Sequence, residues 1–254
     1  QTKNTNYRLL QPRFRLRRTG PRGWNQWAGW HRMAQNLHQI GSFNVSLPFE
    51  LWVPSTRRVP PEIVWQAIAG VGWQHKNWAW QIEGYYKKME RVLTFIASND
   101  ALFSGGAVDA SGWEDRIALG TGWSKGLEVT LEKTSGKLTG SIAYTLSESE
   151  RFFPDLNAGR PFPFRFDRRH DLKITLRQQL FKWLEADVVW AMATGNPITL
   201  AGVKFYHESV EGEVGRDVFF YTEVNGYRLP TYHRLDAALN ASWGSEKLRQ
   251  SLQI

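Results

Sequence analysis

Glu185 and Asp187 lie two residues apart, and alternation would put both carboxylates on one face of a strand, a spacing that suits general acid–base work. The same polar face also collects Glu128, Glu132, Lys173, Arg177, Arg234 and Asp236. A hydrated wall accounts for all of them, so no catalytic residue is assigned and the chain is read as a non-enzyme. Histidines at 31, 38, 75, 170, 207 and 233 show no His-x-x-x-His spacing, and cysteine is absent, so no metal site is assigned. Ser104-Gly105-Gly106 lacks the Lys-Ser/Thr of a nucleotide loop, and no cofactor is expected.

Two clusters fit binding better than catalysis. Arg165, Arg168, Arg169 and His170 sit around Asp167 at the entry to an alternating segment, and Tyr232, His233 and Arg234 open another. Guanidinium forks suit oxyanions, so these seven residues are the candidate ligand-binding set for an anionic ligand or a lipopolysaccharide phosphate. The competing reading is a structural network at the base of a loop, with Asp167 pairing an arginine internally. Aromatics at Phe152, Phe153, Phe162, Phe164, Phe166, Phe219, Phe220 and Tyr221 could stack on a sugar or an aromatic chelate, or pack loops together.

Period-two alternation recurs along the chain and predicts strands. Leu127, Val129 and Leu131 alternate with Glu128, Thr130 and Glu132, and after Ser135-Gly136 the pattern resumes with Leu138, Gly140, Ile142 and Tyr144. With Ser135-Gly136 as a two-residue turn, Val129 falls opposite Ile142 and the apolar residues share one side. His75-Lys76 as a turn likewise sets Trp73 against Trp78, and a turn at Phe181 to Trp183 sets Leu176 against Val188, Ile174 against Trp190 and Arg177 against Asp187. Trp24 to Gln35 also reads as a strand, although Trp27 falls among its polar positions. In all, nine strands and part of a tenth, about ten residues each, alternate between short turns and long loops. The loops span residues 37–63, 94–119, 148–169 and 195–231.

The 254 residues are 42% hydrophobic and 22% charged, as in folded proteins. No apolar run approaches the roughly eighteen residues of a membrane helix. The net charge is +8, but the basic clusters Arg13 to Arg18 and Arg165 to Arg169 lie far apart with no basic helix, so nucleic acid is not an expected partner. Thirteen tryptophans, many at strand ends, suit a membrane interface. The pattern predicts an all-β, antiparallel up-and-down transmembrane β-barrel with short periplasmic turns and long extracellular loops.

Local words then acquire a family likeness. Gln11-Pro12-Arg13, Trp52-Val53-Pro54-Ser55, Tyr85-Tyr86-Lys87-Lys88, Gly122-Trp123-Ser124-Lys125-Gly126-Leu127-Glu128, Ser135-Gly136-Lys137-Leu138-Thr139-Gly140, Phe166-Asp167-Arg168-Arg169-His170, Gly195-Asn196-Pro197-Ile198-Thr199 and Arg228-Leu229-Pro230-Thr231-Tyr232-His233-Arg234-Leu235-Asp236 follow one another over nearly the whole chain. In this order they resemble the C-terminal half of the barrel of TonB-dependent outer-membrane receptors. The resemblance implies about ten strands of a 22-stranded barrel, with residues 1–254 as a fragment lacking the plug domain, the first half of the barrel and the last strand. It implies energy-coupled import of a scarce ligand (siderophore, cobalamin, glycan or similar) across the outer membrane of a Gram-negative bacterium. The implied partners are outer-membrane lipid and lipopolysaccharide, the N-terminal plug, an inner-membrane energy-coupling complex and a surface lipoprotein. A secreted soluble glycan-binding β-protein and a passive porin are the alternatives; the first would cover the apolar face of its sheet with a second layer.

Overall fold

The computed structural model describes residues 6–40, 51–95, 114, 117–207, 216–221, 223–245 and 248–253. Its strands are β1 (Arg13–Thr19), β2 (Trp24–Gln35), β3 (Leu37–Ile40), β4 (Leu51–Pro54), β5 (Glu62–His75), β6 (Trp78–Phe95), β7 (Ile117–Lys133), β8 (Leu138–Phe152), β9 (Phe162–Pro163), β10 (His170–Phe181), β11 (Leu184–Ala193), β12 (Pro197–Ile198), β13 (Ala201–His207), β14 (Arg216–Tyr221), β15 (Tyr227–Arg228), β16 (Tyr232–Ser245) and β17 (Leu248–Gln253). One sheet runs β1-β2-β5-β6-β7-β8-β10-β11-β16-β17 with every pair antiparallel, which is the up-and-down all-β meander expected.

Register carries the apolar faces across the sheet. Trp24 pairs with Trp73, Trp73 with Trp80, Trp80 with Leu131, Leu131 with Ile142, Ile142 with Ile174, Ile174 with Trp190, and Trp190 with Leu235. This row of large apolar side chains crosses eight strands on one face. Leu127 is 42% exposed and Leu235 66%, and among the described residues no second sheet stacks on the face.

The β10–β11 hairpin has the expected register: Ile174 meets Trp190, and Arg177 Nε donates to Asp187 Oδ1 at 2.7 Å. Two other hairpins are shifted by two residues from expectation. His75 continues the ladder to pair with Trp78, so the β5–β6 turn is Lys76-Asn77 and Trp73 meets Trp80. Lys133 pairs with Gly140, so Val129 meets Tyr144, not Ile142. The two turns brace each other: Thr134 N donates to Asn77 O at 2.9 Å and Asn77 Nδ2 to Ser135 O at 3.1 Å. An even shift leaves every side chain on its expected face, which is why the pattern alone could not tell the registers apart.

The loops at the far end hold more structure than expected. Three small antiparallel pairs, β3–β4, β12–β15 and β13–β14, lie within residues expected to be irregular, and β8 runs on to Phe152 and pairs with β9. Strands β6, β7 and β8 exceed ten residues because their extra length builds a core there. Met89, Val92, Ala118, Phe153 and Phe162 are buried together, with Val64, Leu156 and Val224 packed against them. A bulge at Arg91 (φ 62°) turns Val92 to the side Met89 already faces. The expected Ser104-Gly105-Gly106 loop lies outside the described residues.

Candidate functional site

The candidate site lies at the loop end, where the segments after β8 and β11 fold over the strand ends. Its centre is Asp167, 2% exposed. Ser149 N donates to Asp167 Oδ1 at 2.6 Å, Arg228 Nη2 donates to Oδ2, and Arg228 Nη1 donates to the carbonyls of Asp167 at 3.1 Å and Gly195 at 3.3 Å. The carboxylate therefore pairs an arginine internally, but the arginine is Arg228, not one of its chain neighbours. Sequence reading passed over Arg228, although it opens the word Arg228-Leu229-Pro230.

Other contacts tie the same two loops. Asn225, 5% exposed, donates from Nδ2 to Pro163 O at 2.8 Å and from its backbone N to Thr199 Oγ1 at 2.9 Å. Val224 N donates to Asn157 Oδ1 at 3.2 Å. Phe153 and Phe162, each 1% exposed, stack 6.1 Å apart, so these two aromatics pack loops and are not available to a ligand. Phe164 lies under the Arg151 guanidinium at 4.1 Å, whereas Phe166 is 58% exposed with Arg165 4.5 Å above its ring. The side chains of Phe219, Phe220 and Tyr221 lie outside the described residues.

The seven candidate residues do not form one cluster. Arg168 donates from Nε to Asn196 Oδ1 at 3.1 Å and faces Asp171 at 3.6 Å. Arg169 Nη1 binds Glu148 Oε2 at 2.7 Å, which Lys125 Nζ also approaches at 3.4 Å. His170 pairs with Leu146 on the apolar face, where its Nδ1 is 2.8 Å from Tyr144 Oη, and His233 pairs with Met192 on that same face. Tyr232 and Arg234 point to the opposite, polar face, with Arg234 Nε on Asp236 Oδ1 at 2.9 Å. Asp171 and Tyr232 both pair with Ala193, so Asp171, with Arg168 against it, lies on the same side of the sheet as Tyr232 and Arg234 across β10, β11 and β16, about 10 Å from edge to edge.

Glu62 begins β5 beyond the apolar belt. Burial pushes its carboxyl above the usual range, and the nearby Arg151 guanidinium opposes that shift. Arg151 is itself 9% exposed and leaves its Nε without a hydrogen-bond partner. The pair gives the loop end a charge that desolvation makes costly.

No family model matches the chain, and no curated protein does. Among solved structures it is similar to the crystal structure of the Pseudomonas putida toluene transporter TodX, with a TM-score of 0.36 and 14% identity over 92% of this chain and 64% of that one. The chain thus spans less than two thirds of that protein's length. A likeness of that depth leaves function to be argued from this chain's own residues.

Proposed function

We propose that the sheet is part of the wall of a transmembrane β-barrel in the outer membrane of a Gram-negative bacterium, within a receptor that imports a scarce ligand using energy relayed from the inner membrane. The observation that carries the membrane reading is the uncovered apolar row from Trp24 to Leu235: a soluble β-sandwich would bury it under a second sheet, and hydrocarbon is the solvent it suits. The sorting of short turns to one end and long loops to the other supports the same reading. Energy coupling rests on the family words, with the plug, the inner-membrane complex, lipopolysaccharide and a surface lipoprotein as partners.

Within this reading Arg168, Tyr232 and Arg234 are the rim residues available to a ligand, since they are exposed and face the barrel interior. Arg169, His170 and His233 face lipid headgroups or hold the rim together. The proposal needs no bond making on the ligand.

The membrane reading is tested by reconstituting the full chain in phosphatidylcholine vesicles with brominated acyl chains. Trp190 faces outward and its emission is quenched; Trp27 faces inward and its emission survives, as Trp190→Phe and Trp27→Phe variants separate. Unquenched Trp190 overturns the reading. Energy coupling is tested by uptake of iron chelates, cobalamin and oligosaccharides in cells with and without the gene. Uptake that a protonophore abolishes supports it, and uptake that persists makes the chain a passive porin.

A further inference from the structure

The turn end of the sheet differs in charge from the loop end. Its four described turns are Gly20–Gly23, Lys76-Asn77, Thr134–Lys137 and Lys182-Trp183; each holds a cation, and among the described turn residues none is acidic. Arg22, Lys76, Lys137 and Lys182 are joined by Lys133, and the tryptophans Trp24, Trp78 and Trp183 stand beside them, 43%, 43% and 53% exposed. The loop end carries both signs paired together, as in Lys88 with Glu90 and Lys125 with Glu148.

Beneath Lys133 the apolar face has a crevice of about 110 Å³. Leu131, Leu138, Ile142 and Leu176 wall it and Gly140 (φ +154°) also lines it; a Cβ on Gly140 would meet Thr175 O of the neighbouring strand at 2.2 Å. Lys133 Nζ stands at the mouth, 5.5 Å from the centre of the Trp78 ring, with no acidic side chain lining the crevice. An apolar slot along the sheet, closed at one end by an ammonium and an indole, matches an acyl chain below a phosphate.

We propose that this crevice and the basic turn rim dock an anionic phospholipid, one acyl chain lying over Gly140 and the headgroup phosphate meeting Lys133 and Lys137. The site rests on the reading that this face meets lipid. Charge complementarity selects the occupant: a zwitterionic headgroup brings its own cation to a rim already cationic, whereas an anionic one gains with every lysine it meets. The indole of Trp78 beside the ammonium is the arrangement of a membrane interface, where an amphipathic ring lies at headgroup depth.

The test is native mass spectrometry of the detergent-solubilised full chain incubated with equimolar dioleoyl phosphatidylglycerol and dioleoyl phosphatidylcholine. The expected result is retention of phosphatidylglycerol over phosphatidylcholine by roughly tenfold, falling to near parity in Lys133→Gln/Lys137→Gln. Leu176→Trp, which fills the crevice without touching a charge, lowers retention of both lipids, while Lys125→Gln at the loop end changes nothing. Equal retention of both lipids by the unaltered chain, or an undiminished preference in the double lysine variant, overturns the docking site. Either result, in a chain whose Trp190 is still quenched by brominated phosphatidylcholine, leaves the membrane reading standing; loss of that quenching removes both.

Discussion

Trp27 stands directly opposite Gly70 on the β2–β5 ladder and lies flat across it, so that its indole Nε1 donates to Glu83 Oε2 one strand further on. A Cβ on Gly70 would sit 2.3 Å from the Trp27 ring. Tyr85 repeats the arrangement over Gly126, and Phe153 over Gly120, with clashes of 2.7 Å and 2.5 Å for an added Cβ. Each ring covers a glycine on the next strand and thereby pins the register on the polar face. The tryptophan that breaks the alternation of β2 is thus a brace between strands.

Gly70→Val should lower unfolding stability in lipid vesicles by roughly 1–3 kcal/mol, because the ring has no second place to lie. Gly84 lies on β6, opposite Ala69 of β5, but its nearest neighbour to an added Cβ is 3.9 Å away, so Gly84→Ala should change stability by less than about 0.5 kcal/mol. Urea titration followed by fluorescence measures both; equal costs would show that the ring contact is incidental.

Val129 and Thr130 are adjacent, on opposite faces of β7. Val129→Arg places a charge on the apolar face and should cost about 2–4 kcal/mol near mid-membrane. Thr130→Arg, facing the interior, should cost much less. Comparing refolding equilibria of the two variants reads the difference, and equal tolerance counts against lipid on that face.

Breaking the Asp167–Arg228 pair leaves a charge buried without its partner. Arg228→Met should therefore cost about 3–5 kcal/mol of the stability of the loop end. Limited proteolysis should show new cleavage within residues 153–169 and 223–231 while the sheet strands stay protected. Cleavage rates like those of the parent would mean that Asn225 and the aromatic core hold the loops without this pair.

Glu62 gives a pH dependence of defined sign. Its folded-state carboxyl is raised by burial, so the folded chain holds that proton more tightly than the unfolded chain. Its contribution is most favourable below the ordinary carboxylate pKa and is lost as pH rises through the raised folded value. Glu62→Gln should match the parent near pH 4 and exceed it in stability near pH 8. A gap between the two that stays constant over that range would rule out this assignment.

The ten main strands, the face each residue takes and the separation of short turns from long loops were legible in the sequence. Alternation of apolar and polar residues is a local property, and a strand converts it directly into two faces. The β10–β11 register was legible too, because Arg177 and Asp187 add charge to the pattern. The registers of β5–β6 and β7–β8 were not: sliding by two residues keeps all faces, and the hydrogen bonds between Asn77 and the Thr134–Ser135 turn chose between them. At the rim, the sequence gathered Asp167 with its arginine neighbours by proximity along the chain. Tertiary structure chose Arg228 instead, because burying Asp167 requires a guanidinium that can also satisfy two backbone carbonyls, and only the returning loop delivers one there.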